Sequence, residues 1–153
     1  METNTVTSAL NGMDSVVADV VREFPLHDAP APANGWGPRE VMAHFLFWHS
    51  WWAETAEALA ASRPAAGLNA SIDELNDRAV AQRAGAPISE LAAELQALHQ
   101  RLHQAVLAIP DRESALWPRI NQPSIPIQER LAGMARHLQS HLDEVRQGGP
   151  LSR

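Results

Sequence analysis

With 153 residues, no cysteine and a formal charge of −6, the chain fits one domain, residues 1–153, that buries about two-thirds of its unfolded surface. The acidic balance argues against nucleic acid and anionic membrane surfaces as partners. Without cysteine there is no disulfide framework, thiolate ligand or cysteine nucleophile, so any metal must be held by His, Asp or Glu.

The opening METNTVTSAL lacks a charged segment followed by an apolar one, and no later stretch reaches the roughly 20 unbroken apolar residues that span a bilayer. A soluble cytoplasmic protein is expected. Leu10, Met13, Val17, Val20 and Phe24 recur at helical spacing, so a first helix is predicted over Thr5 to Phe24, closed by Pro25. HDAPAPANGWG then forms a loop. Pro38 suits the first position of a second helix running to about Ser62, with Trp36 placed to staple onto Val41.

A long connection follows, carrying one short helix in SIDELNDRAVAQR, where Ser71 and Glu74 have capping-box spacing. The third main helix carries the stripe Leu91, Leu95, Leu98, Leu102, Ala105 and Ile109, with Ser89 as its cap and Pro110 as its stop. DRESALWPRINQPSIP is a Pro-rich break, after which Ile127, Leu131, Met134, Leu138, Leu142 and Val145 mark a fourth helix ending at the glycine pair Gly148 and Gly149. Four amphipathic helices without a hairpin signal predict an all-α four-helix bundle. The connection of roughly 25 residues between the second and third helices is longer than antiparallel neighbours need and could make them parallel.

VMAHFLFWHSWW raises the functional question, because an imidazole stands inside a tryptophan-rich run. At about 100° per residue, His44 shares a face with Val41, Phe47, Trp48 and Trp51, whereas His49 is turned away from it. His44 points inward, either as a core histidine hydrogen-bonded to a neighbour or as a metal ligand. ARHLQSH places His137 and His141 one turn apart at the edge of the fourth stripe, where two rings can converge on one ion. HQRLH gives His99 and His103 the same spacing. His44, reaching in from another helix, favours His137 and His141 as the ligand pair, and His99 and His103 are read as solvated surface residues.

GWGPREVMAHFLFW, the long connection, the third helix and MARHLQSHLDEV together resemble the DinB/YfiT-like superfamily over nearly the whole chain. The resemblance implies a four-helix bundle of up-down-down-up topology, and the superfamily includes mycothiol-dependent and bacillithiol-dependent transferases and isomerases. Its metal-binding members use one histidine of helix two and two of an HxxxH in helix four, which by position are His44, His137 and His141. SIDELNDRAVAQRAGAPISELAAELQALHQRL is also similar to the ClbS/DfsB-type branch, which shares the bundle and is not defined by a metal triad.

Three neutral histidines on a divalent ion leave an open position for water or substrate. The ion could lower the pKa of bound water or of a small-molecule thiol. Zinc and nickel both suit the ligands, and a low-molecular-weight thiol cofactor suits a chain without cysteine. Trp48 and Trp51 could wall a substrate pocket. Arg130, two turns before His137, could meet an anionic substrate group or be an ordinary helix-end arginine. Asp143 and Glu144 could accept hydrogen bonds from imidazole N–H groups or be plain surface carboxylates. The function expected is a metal-dependent transferase or hydrolase acting on a small electrophile. The alternatives are a metal-free bundle that binds or hydrolyses a small molecule under Trp48 and Trp51, and a non-catalytic homodimer.

Overall fold

The computed structural model describes residues 5–152. Helix α1 spans Thr5–Glu23, a 3-10 turn covers Phe24–His27, and α2 spans Pro38–Ala60. Then come α3 (Ile72–Gln82), α4 (Ile88–Leu107), strands β1 (Leu116–Arg119) and β2 (Gln122–Pro126), and α5 (Ile127–Gln147). The fold is mainly helical, and α4 and α5 are the helices expected third and fourth. No helix among the described residues is long and apolar enough to cross a membrane.

Each helix starts or ends for a local reason. Pro38 opens α2, where its missing N–H removes no helical bond, and the Gly37 N–H donates to Glu40 Oε1 at 2.8 Å. A Cβ at position 37 would stand 3.0 Å from both the Ala29 carbonyl oxygen and Glu40 Oε1, tighter than an ordinary contact, which favours glycine there. Ser71 caps α3 by accepting from the Glu74 N–H at 3.2 Å. Ser89 does not cap α4. That helix begins at the buried Ile88, and the Pro87 carbonyl accepts from the Leu91 N–H. Gly148, at φ 73°, ends α5 in the left-handed conformation that glycine adopts without strain.

The Pro-rich segment before α5 departs from expectation. It carries an antiparallel ribbon in which Trp117 pairs with Ile125 and Arg119 with Gln122, with an irregularity at Pro118. A two-stranded ribbon has a free edge on each strand, so prolines can stand where no ladder N–H is needed. Ile120 and Asn121 form the turn, and Asn121 has φ 54°, a value that asparagine tolerates better than most residues. Trp117 is fully buried and anchors the ribbon to the helices.

One apolar core joins α1, α2, α4, α5 and the ribbon. Val6, Leu10, Met13, Val17 and Val20 supply the α1 stripe, and Leu131, Met134, Leu138, Leu142 and Val145 supply that of α5. Burial of each large apolar side chain contributes about 1.5–3 kcal/mol. The α4 stripe is turned slightly from the one expected, with His99 buried and Leu98 only half-buried. Helix α2 is buried on more than one side, sending His44 towards α5 and His49 towards α4.

Candidate functional site

Helices α2 and α5 bring His44, His137 and His141 together. Each offers a ring nitrogen within 4.8 Å of the other two. His44 Nε2 and His137 Nε2 face each other at 3.0 Å, and the His137 and His141 rings, one turn apart, have centroids 4.7 Å apart. His44 and His141 are buried and His137 is exposed, so the cluster has an inner wall and a solvent side. Both α5 histidines were expected at a half-buried rim, and the burial is instead divided between them.

Asn76 on α3 settles the orientation of His44. Its Oδ1 lies 2.8 Å from Trp48 Nε1, which can only donate, and 2.8 Å from His44 Nδ1. The accepting atom is therefore the amide oxygen, and His44 carries its proton on Nδ1. The lone pair of Nε2 is left pointing at His137. Burial pushes the His44 pKa down to about 4, with His137 and His141 adding repulsion and the Asn76 bond opposing. Burial and His137 likewise push His141 down to about 4, against an opposing pull from Glu144. These imidazoles are neutral near pH 7 and available as ligands. His141 Nδ1 is buried without a hydrogen-bond partner. Neutral, converging nitrogen donors with an unsatisfied buried member could hold one divalent cation.

A separate cavity of about 280 Å³ is lined by Trp48, Trp51, Trp117, Arg119 and Arg130 among others. Trp51 Nε1 donates to the Ala66 carbonyl at 3.2 Å, and Trp48 is fixed by Asn76. Arg130 is half-buried, with its guanidinium 5.6 Å from the Trp52 ring centroid, a cation–π distance. Among the described residues no carboxylate pairs with it, and its Nε has no partner. Burial and the nearby Arg119 both pull its pKa down, and Arg130 in turn disfavours a charge on His137. Trp48, Trp51 and Arg130 thus stand on one cavity, and Trp48 links it to the cluster, with its ring centroid 6.5 Å from that of His44.

Among the described residues Asp143 and Glu144 accept no hydrogen bond from the imidazoles, and Glu144 acts on them only through its charge. Asp143 accepts from Gln139 Nε2 at 2.8 Å, and Glu144 takes the backbone N–H and hydroxyl of Ser152. His99 is not a solvated surface residue, and His103, though partly exposed, is tied to Asp14. His99 is 3% exposed, and both rings bond Asp14 Oδ1, at 2.6 and 2.9 Å. The α4 stripe passes through His99 because that residue follows Leu95 by one helical turn. Asn76 and Asp14 escaped attention in the sequence, although each interrupts an apolar stripe. Asn76 stands beside Leu75 and Ala79, and Asp14 stands between Met13 and Val17.

The sequence model of the mycothiol maleylpyruvate isomerase N-terminal domain family matches residues 9–146. That span contains His44, Asn76, Arg130, His137 and His141. Neither the curated proteins nor the solved structures give a significant match. The chain therefore belongs to the mycothiol maleylpyruvate isomerase N-terminal domain family, within the DinB/YfiT-like superfamily.

Proposed function

We propose that this protein is a divalent-metal-dependent enzyme that transfers a low-molecular-weight thiol to, or hydrolyses, a small electrophile. The observation that carries it is the Asn76–His44 hydrogen bond, which aims a neutral nitrogen lone pair at the two α5 histidines. His44, His137 and His141 would hold the ion, and zinc and nickel both suit three imidazoles. When bound, it would supply Lewis acidity, favouring thiolate or hydroxide near neutral pH. Mycothiol is the thiol to test first, because the family is named for it.

The chain's own residues supply the rest. Trp48 and Trp51 form an aromatic wall of the cavity, and Arg130, without a carboxylate partner, attracts an anionic group of the substrate. The exposed edge at His137 is the route of approach. In a transfer, the sulfur electron pair forms the new C–S bond, the leaving group departs with its own pair, and the thiol proton goes to solvent.

An up-down-down-up bundle of α1, α2, α4 and α5 belongs to the same proposal. Moving from His137 back to Arg130 along α5 corresponds to moving forward from His44 to Trp52 along α2, which supports opposite directions. The pairs His49 with His99 and Glu57 with Arg101, and a cavity joining Ala61 and Ala108, support a parallel α2 and α4. Function in the cytoplasm fits a reduced thiol substrate.

The test is thiol consumption by zinc- or nickel-loaded protein with mycothiol and a small anionic electrophile. Turnover should fall at least 100-fold in His137→Ala, and Arg130→Met should raise KM about tenfold or more while leaving the melting temperature unchanged or higher, since a half-buried unpaired charge is removed. The cavity also supports a metal-free, ClbS/DfsB-like binding function. Ligand binding that survives His137→Ala and fails in Arg130→Met would favour that second reading.

A further inference from the structure

Away from the α2/α5 histidines, α1 and α4 build a second cluster. Asp14 Oδ1 lies 2.6 Å from His99 Nε2 and 2.9 Å from His103 Nδ1, and all three ligand atoms fall within 4.8 Å of one another. Behind them, His49 Nε2 lies 3.1 Å from His99 Nδ1. In front is a cavity of about 370 Å³ whose lining includes Gln96, Gln100 and Gln104 besides the cluster itself. Asp14 and His103 are partly open to it, with side chains 37% and 31% exposed.

We infer that Asp14, His99 and His103 form a second divalent-metal site, distinct from His44, His137 and His141, for a borderline ion such as zinc, nickel or copper. Two imidazoles and one carboxylate are the donor types such ions take. In a tetrahedral site with bonds of about 2.0 Å the ligand atoms stand about 3.3 Å apart. The hydrogen-bonded spacings of 2.6 and 2.9 Å therefore need to open by less than an ångström.

His49 accounts for how the cluster accommodates both states. Without an ion, His99 and His103 each donate an N–H to Asp14, and His99 Nδ1 accepts from His49 Nε2. With an ion, the lone pairs of His99 Nε2 and His103 Nδ1 turn to the metal. The His99 proton then resides on Nδ1 and is donated to His49 Nε2, whose own proton moves to His49 Nδ1. Imidazole can take either role, which a lysine or an arginine in its place could not. His49 is fully buried, with Nδ1 unpartnered, so it has no competing bond to make. A ligating histidine with its second nitrogen bound in this way has a fixed orientation.

The test is calorimetric titration of Zn²⁺ into the chelator-stripped full chain, repeated with Co²⁺ to read its visible absorption. Wild type should bind two Zn²⁺. Asp14→Asn/His103→Ala should bind one, as should His137→Ala/His141→Ala. If the first pair melts early, His103→Gln alone, at a half-exposed position, should still weaken one of the two sites at least tenfold. Wild-type stoichiometry and affinity in the Asp14 and His103 variants would overturn the inference. One Zn²⁺ in wild type, lost in His137→Ala/His141→Ala, would overturn it and leave the proposed function standing. One Zn²⁺ that survives those substitutions and is lost in Asp14→Asn would support it and sink the His44 centre instead.

Discussion

Asn76 decides which nitrogen of His44 faces the other two histidines. Its side-chain oxygen is the shared acceptor for two largely buried donors, His44 Nδ1 and Trp48 Nε1. Removing it in Asn76→Ala should cost about 1–3 kcal/mol in a denaturant melt, because both donors lose their partner. It should also weaken zinc binding about 10–100-fold, as loss of a hydrogen bond to a ligating histidine does elsewhere. An unchanged zinc affinity would show that the bond does not orient the ligand. The inward direction of His44 and the pairing of His137 with His141 were legible in the sequence, since both follow from spacing within one helix. Asn76 was not, because its partner lies 32 residues away on another helix. The same holds for Asp14 and His99, which are 85 residues apart.

At the scale of the element, α1, α4 and α5 were legible because each repeats its apolar residues with the period of the helix, and α2 was legible from Pro38 at its start. The ribbon was not. Its strands are four and five residues long and carry three prolines, Pro118, Pro123 and Pro126, so composition points to a loop. What makes it a ribbon is long-range burial of Trp117, which forms part of the cavity beside Arg130. Trp117→Ala should therefore destabilise the protein by about 3–5 kcal/mol. Leu116→Ala, on a residue 53% exposed, should stay within about 0.5 kcal/mol. Equal effects of the two substitutions in chemical denaturation would mean that the ribbon is not anchored through Trp117. The phase of α4 was legible only to within one residue, which is why His99 reads as surface in sequence and is buried in the fold.

Across the whole molecule, surface arginine–carboxylate pairs tie the helices together. Glu23 bonds Arg146 at 2.6 and 2.8 Å between α1 and α5, and Glu57 bonds Arg101 between α2 and α4. The hydrogen bonds from these arginines hold both carboxyl groups below their ordinary value of 4.5. A depressed carboxyl pKa gives stability that is present above 4.5 and is lost as pH falls through the folded value, because the unfolded chain then binds more protons. Both pairs are exposed, so the effect is modest and weakens with salt. Arg146→Gln and Arg101→Gln should each make the fall in melting temperature between about pH 5 and pH 3 shallower than in wild type. A slope that does not change would remove these pairs from the acid response.

The family match runs from within α1 to near the end of α5, and the histidines that could hold a metal lie within that span. The most direct test is the zinc content of the full chain after chelation and reloading, compared between wild type and His44→Ala, His137→Ala and His141→Ala. Each substitution should remove about one zinc per chain or weaken its binding at least tenfold. Zinc content and affinity identical to wild type in all three would contradict a metal centre at these histidines and return His44 to the role of a buried histidine satisfied by Asn76.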